Sequence, residues 1–169
     1  MEFTCVRCGR CCRNLVPTAV LSDIERWLEV GAARVLENVV KVKAEGFVGR
    51  FGVGYCFALR RRGGACVFYE GGLCSIYDIR PSVCRLFPFA PSSSGLVAVH
   101  PWAERYCLGV RLSAKLPPRE AEELEALAER VTRELLLLPQ YSALVEEVLE
   151  RYSSGKPRLS GVRVRVDAV

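Results

Sequence analysis

Four cysteines, Cys5, Cys8, Cys11 and Cys12, fall within eight residues in the run FTCVRCGRCC. Thiolates crowded this closely repel one another unless a cation or a covalent bond holds them. The overlapping C-x2-C spacing lets one tight turn aim several sulfurs at one point, which is how a chain builds a metal site. Five more cysteines, Cys56, Cys66, Cys74, Cys84 and Cys107, occupy a glycine- and aromatic-rich middle stretch. They stand in or beside expected turns, where ligands are easily aimed. Cys56, inside an expected strand, reads instead as a small buried hydrophobe.

Arginines accompany the cysteines. Arg7, Arg10 and Arg13 interleave the first run, and Arg80 and Arg85 bracket Cys84. A Zn(Cys)4 site or an oxidised [4Fe-4S] cluster carries a net charge of about −2 by formal counting. Neighbouring guanidiniums would offset that charge and lower thiolate pKa values. Arg80 and Arg85 are therefore expected beside the bound group, whereas Arg7 and Arg10 read equally well as surface charges. Zinc and iron–sulfur both stay open on spacing. A zinc ribbon shows two separated knuckles, and here the second is missing. The ferredoxin run C-x2-C-x2-C-x3-C-P is matched only in its first three cysteines. His100 is the single histidine and reads as a loop residue before Pro101, so the donor set is essentially all-cysteine.

Three stretches must position these residues. In the first, to about Gly31, Ser22 and Glu25 read as a capping box opening a helix whose apolar face is Ile24, Trp27 and Leu28. In the second, Ala32 to Val110, a short helix is expected over Ala33–Val40. From Phe47 a β-meander with tight Gly-Gly turns follows, its last hairpin joining Cys66 to Cys74. Pro81 opens a helical turn around Cys84, and FPFAPSSSGLVAV reads as a hairpin with SSSG at its tip. The third stretch carries an amphipathic helix with Leu124, Leu127, Val131, Leu135 and Leu138 on one face, broken by Pro139. A shorter helix, Tyr141–Tyr152, comes next. SSGKP then reads as a linker and GVRVRV as a strand. The fold class expected is α+β: a cysteine-rich metal-binding domain over 1–110, then a helical extension over 111–169.

The 169 residues fit one domain with an appendage, and at 50% hydrophobic content the chain buries a core. A net charge of +5 permits nucleic-acid or acidic partners without requiring them. One glutamine and two asparagines among many charges point to a thermophile. No signal peptide or membrane-length apolar run is visible, so the expected compartment is the cytoplasm, where cysteines serve metals more often than disulfides. A lone histidine leaves little room for a Cys-His pair, and GRFGVG lacks the Lys-Ser/Thr and strand–helix setting of a nucleotide loop. Arg60-Arg61-Arg62 reads as a solvated hairpin end, and Phe47, Phe51, Tyr55, Phe57, Phe68 and Tyr69 as sheet core.

FTCVRCGRCC, followed by GACVFYEGGLCSIYDIRPSVCRLFPF and a later Cys-x-Gly at Cys107, resembles the CxxCxxCC cysteine-cluster family, the YkgJ-type zinc- or iron-chelating domain. The resemblance covers about residues 3 to 109. It implies a ligand set of Cys5, Cys8, Cys11, Cys12, Cys66, Cys74, Cys84 and Cys107, enough for two four-coordinate sites or one larger assembly. It leaves out Cys56 and the C-terminal helices. A protein with similar cysteine motifs, bacterial flagellin lysine N-methylase, is associated with an iron–sulfur cluster. That favours [4Fe-4S] over zinc, while no methyl-donor site is recognisable in this chain.

The leading expectation is a cytoplasmic metalloprotein whose cysteines hold iron–sulfur or zinc, with metal binding contributing folding energy to the first two stretches. The alternatives are an iron–sulfur oxidoreductase or protein-modifying enzyme, and a zinc-stabilised module that meets RNA or protein through its basic face or its C-terminal helices.

Overall fold

The computed structural model describes residues 5–49, 51–91, 97–112 and 118–153. The fold is α+β, with helices packed on small antiparallel sheets. In chain order, α1 (Arg10–Asn14) leads through β1 (Thr18–Ala19) to α2 (Leu21–Glu29) and α3 (Ala33–Leu36). Then come β2 (Val39–Lys43), α4 (Gly46–Gly49) and β3 (Tyr55–Leu59). Two miniature hairpins follow, β4 (Arg61–Arg62) with β5 (Ala65–Cys66), and β6 (Tyr69–Glu70) with β7 (Leu73–Cys74). After these stand α5 (Ser82–Leu86), β8 (Phe89–Pro91) paired with β9 (Val97–Val99), α6 (Pro101–Tyr106) and α7 (Leu108–Leu112). Two long helices, α8 (Pro118–Leu136) and α9 (Leu138–Ser153), come last.

The central sheet has the order β1-β3-β2, all antiparallel, with Ala58 of β3 opposite both Thr18 and Val40. β3 is covered on both faces, so its apolar run Cys56, Phe57, Ala58 and Leu59 is buried without alternation. Trp27, Leu36, Phe57, Leu59 and Phe68 share one hydrophobic cluster with Val131, Leu135, Leu138, Val145 and Leu149 of the long helices. α8 lies against α5 and the β8–β9 hairpin, and α9 against α2 and α3. The apolar stripe expected on α8 is this contact, with Val131 and Leu135 fully buried. Cys56 sits in the same cluster, as its place in a strand indicates.

Several local expectations are corrected. The helix start lies at Val20, whose N–H donates to the Asp23 carboxylate at 3.2 Å. Ser22 does not cap, because its N–H and hydroxyl both donate to Glu134 of α8, at 2.9 and 3.0 Å. The short helix expected over Ala33–Val40 ends at Leu36, and the β-branched Val39 and Val40 pair with β3 instead. The expected meander is broken into separate hairpins. Their loops, Gly63-Gly64 and Gly71-Gly72, hold φ values of 57, 81, 57 and 87°, the two consecutive positive values a type I′ turn requires. This places Cys66 opposite Arg61 and Cys74 opposite Tyr69, so no single hairpin joins the two cysteines. Arg61 is no solvated end: its guanidinium donates to the carbonyls of Leu15 (2.9 Å), Arg13 (2.6 Å) and Gly64. The break between the long helices falls at Leu137, leaving Pro139 in the first turn of α9, where its missing N–H costs nothing. The SSSG tip, the SSGKP stretch beyond Ser153 and GVRVRV lie outside the described residues.

Candidate metal centre

Gly9 divides the N-terminal cysteine run. It has φ +69°, and its carbonyl accepts the Arg13 N–H at 3.1 Å as α1 begins. A Cβ at this position would lie 2.2 Å from the end of the Tyr69 side chain, so any other residue must displace that ring as well as adopt a left-handed backbone. Cys5 and Cys8 precede this turn, and Cys11 and Cys12 follow it on α1. Arg61 fastens the end of α1 to the β4–β5 hairpin, which brings α1 against β5 and Cys66. At the start of the same helix, Arg10 donates to the Tyr106 carbonyl at 3.1 Å and draws in the segment that carries Cys107.

The Cys84 segment is held from α2. Asp23 is fully buried, and it accepts the Ser82 N–H at 2.9 and 3.0 Å and the Ser82 hydroxyl at 2.7 Å. Arg26 bridges Asp23 at 2.9 Å and donates to the Arg80 carbonyl at 2.8 Å, while the Trp27 indole donates to the Ile79 carbonyl at 2.7 Å. Burial pushes the Asp23 carboxyl above its ordinary range, and the Ser82, Val20 and Arg26 contacts pull it back. The main chain from Ile79 to Ser82 is thereby fixed just ahead of Cys84.

All nine cysteines are free thiols. Around Cys11 the structure gathers Cys12, Cys66, Cys74 and Cys84, each close enough that charge on one disfavours charge on another. The Cys12 S–H donates to Cys11, which lowers the Cys11 pKa to about 7 and raises that of Cys12. Burial raises Cys66, Cys74 and, most strongly, Cys84. Burial raises Cys107 too, and the thiols bearing on it are Cys8 and Cys5.

One local arrangement recurs. A backbone N–H two residues ahead donates to the sulfur at Cys66 (from Phe68), at Cys74 (from Ile76) and at Cys107 (from Gly109, joined by Val110). Such donors stabilise thiolate and orient it toward a metal. Cys56, by contrast, takes its hydrogen bond from the Thr18 hydroxyl within the core. Among the described residues, no three Cys, His, Asp or Glu side chains yet stand close enough to hold one ion. The donor chemistry nonetheless fits a thiophilic metal, with clustered thiols and main-chain N–H groups aimed at sulfur.

The arginines separate by role. Two guanidiniums lie against the Tyr77 ring, Arg80 at 3.8 Å and Arg7 at 4.1 Å from its centroid. Both charges favour the Cys74 thiolate, Arg80 also favours that of Cys11, and Arg61 that of Cys66. Arg85 is exposed, and the charges around it are Arg26, Arg80, Asp23 and Arg130. His100 caps α6, its Nδ1 accepting the Trp102 N–H at 3.1 Å. Sequence reading missed Tyr77 and Asp23. Tyr77 left one signal, an aromatic three residues before Arg80; Asp23 left none, since its partner Ser82 is 59 positions away.

Comparison with known proteins agrees with this chemistry. Residues 4–108 match the model of the CxxCxxCC family, described as "Putative zinc- or iron-chelating domain". The chain is 31% identical over 120 residues to "Uncharacterized protein MJ0661" of Methanocaldococcus jannaschii, an alignment covering 66% of this chain and 60% of that protein. The chain thus spans about three fifths of that relative's length. No solved structure matches the chain. With the family match running through all eight clustered cysteines and more than half of the sequence, the chain belongs to the CxxCxxCC family of zinc- or iron-chelating domains.

Proposed function

We propose that the protein binds its metal through thiolates alone and that the group it carries is an iron–sulfur cluster of the [4Fe-4S] type. The observation carrying this reading is the repeated N–H···S bond at Cys66, Cys74 and Cys107. A cysteine that merely fills space needs no such donor, whereas a cluster's sulfurs are routinely stabilised by them. The cationic lining supports it further, because Arg7, Arg61 and Arg80 all act on these thiols and would offset the negative charge of a thiolate-bound group. The residues that would hold metal are Cys5, Cys8, Cys11, Cys66, Cys74, Cys84 and Cys107, with Cys12 beside them. A cluster would supply one-electron chemistry; zinc at the same thiols would supply structure. The free thiols suit a reducing compartment such as the cytoplasm.

Purification under strict exclusion of oxygen, followed by an absorbance spectrum and elemental analysis, tests the reading. A broad band at about 400 nm with matching iron and sulfide is expected. A colourless protein loaded with zinc would discard the cluster and keep the thiolate site. A chain that takes up neither metal would discard both.

A further inference from the structure

Residues 3–22 and 46–69 contain no aspartate or glutamate, and every cationic side chain in them is arginine. The fold lays the two stretches against each other: β1 pairs with β3, and α1 lies on β5. Charge scattered along the sequence is thereby collected on one face.

The collected arginines form a strip that runs from contact to contact. Arg80 and Arg7 lie against the Tyr77 ring, 3.8 and 4.1 Å from its centroid. Arg7 holds φ +50°, a left-handed backbone that a non-glycine residue keeps only where its surroundings enforce it. Two residues on, Gly9 faces the end of the Tyr69 side chain, and the Arg13 guanidinium stands 5.6 Å from the centroid of that ring. The Arg13 carbonyl accepts the Arg61 guanidinium at 2.6 Å, which sets the end of α1 beside β4. Arg61 spends its donors on three carbonyls and so fastens the strip, while Arg60 and Arg62 flank it. Arg7, Arg13, Arg60 and Arg62 are exposed. Neither these four nor Arg80 forms an ion pair among the described residues. Between Tyr69 and Arg80 the carboxylates are Glu70, which is taken by Arg34, and Asp78.

Unpaired guanidiniums gathered on one face repel one another, and a polyanion lying across them relieves that repulsion. Arginine's planar fork meets phosphate oxygens two at a time and stacks on flat rings, which the compact ammonium of lysine does not. The half-buried rings of Tyr69 and Tyr77 stand among the charges. Cations interleaved with aromatic rings are the pattern of sites that track a single strand. A protein partner would ask instead for an apolar centre inside a polar rim.

We propose that this strip binds the sugar–phosphate backbone of a single-stranded nucleic acid. Arg13, Arg60 and Arg62 are the main phosphate contacts, and Arg7 and Arg80 extend the strip past the two tyrosines. The strip does not depend on which metal the cysteines hold.

Fluorescence anisotropy of a labelled oligouridylate of about 12 nucleotides, titrated with the full chain purified anaerobically, tests this. Binding is expected, weakening steeply as salt rises from about 50 to 200 mM. Arg13→Gln/Arg60→Gln/Arg62→Gln should weaken it about tenfold or more at the lower salt. The slope of log affinity against log salt should flatten by roughly 2, the share of three phosphate contacts on a single strand. Melting of this variant should stay near wild type, because all three side chains are exposed. The equal charge change Arg130→Gln/Arg133→Gln/Arg151→Gln, on the long helices, should keep affinity within about twofold. No binding by the wild type, or equal loss in the two triple variants, would overturn the strip as a site. A duplex of the same length binding as tightly would overturn the single-strand assignment. So would poly-glutamate displacing the oligonucleotide at matched charge, which would point to an acidic protein.

Discussion

At the scale of single residues, the buried carboxylate of Asp23 shows how much one side chain can organise. Replacing Asp23 by alanine leaves the Ser82 N–H and hydroxyl and the Val20 N–H without their acceptor, and takes the carboxylate partner from Arg26. The expected cost is about 3 kcal/mol, read as a lowered midpoint in denaturant unfolding. Ser82→Ala should cost about 1 kcal/mol in the same assay, since a single hydroxyl donor is removed. Proton balance gives a second prediction. Burial holds Cys66, Cys74, Cys84 and Cys107 above the ordinary thiol range, so near neutrality these groups enter the metal-free fold protonated. Metal needs the thiolate, so uptake releases protons and apparent affinity rises with pH. In the metal-free chain the sign is opposite. Raised pKa values contribute stability that is present below the unfolded thiol value of about 8.5 and lost as pH rises through the folded values. A metal-free sample should therefore melt earlier at alkaline pH, by calorimetry, while the loaded protein gains affinity over the same interval.

At the scale of elements, the turn at Gly9 is the sharpest test of how the cysteine run is shaped. Gly9→Ala puts a methyl group where the Tyr69 ring stands and demands a left-handed alanine. Metal retention during gel filtration should drop markedly, while far-ultraviolet circular dichroism stays near wild type because the long helices are untouched. Periodic elements were legible in the sequence: α2, the turn around Cys84 and the stripe Val131, Leu135, Leu138 follow from apolar spacing and helix boundaries. Competition between nearby acceptors was not. Ser22 has the chemistry of a cap, yet Glu134 claims it from a helix more than a hundred residues away. The Gly-Gly pairs announce tight turns but not that each closes a separate two-residue hairpin. The cysteines stand out in the sequence by their motifs. How α1 is held against the β4–β5 hairpin and the Cys107 segment does not, because it depends on Arg61 and Arg10 reaching distant carbonyls.

At the scale of the whole molecule, the hydrophobic cluster binds the cysteine-bearing stretch and the C-terminal helices into one unit. No helix among the described residues is long and apolar enough to cross a membrane. Metal therefore acts on a fold that already has a core, where a zinc finger has none. Free metal at 1,000 times its dissociation constant stabilises a folded state by about 4 kcal/mol, which for a chain of this size raises the melting temperature by roughly 10 °C. Chelation should lower melting by about that amount in calorimetry and leave a cooperative transition; complete loss of the transition would mean that the core depends on metal. Leu135→Ala opens a cavity where α8 meets the sheet, and should cost about 2–5 kcal/mol in denaturant unfolding.

The two tryptophans stand beside different cysteine-bearing segments. The Trp27 indole is hydrogen-bonded to Ile79, in the segment leading to Cys84, and Trp102 stacks with Tyr106 at 4.9 Å, directly before Cys107. Each neighbourhood thus carries its own intrinsic fluorophore. In Trp102→Phe the remaining tryptophan emission comes from Trp27 alone and reports on the segment leading to Cys84. The difference from wild type reports on the segment before Cys107. Changes at the two segments become separable by light, in an unlabelled chain and in real time.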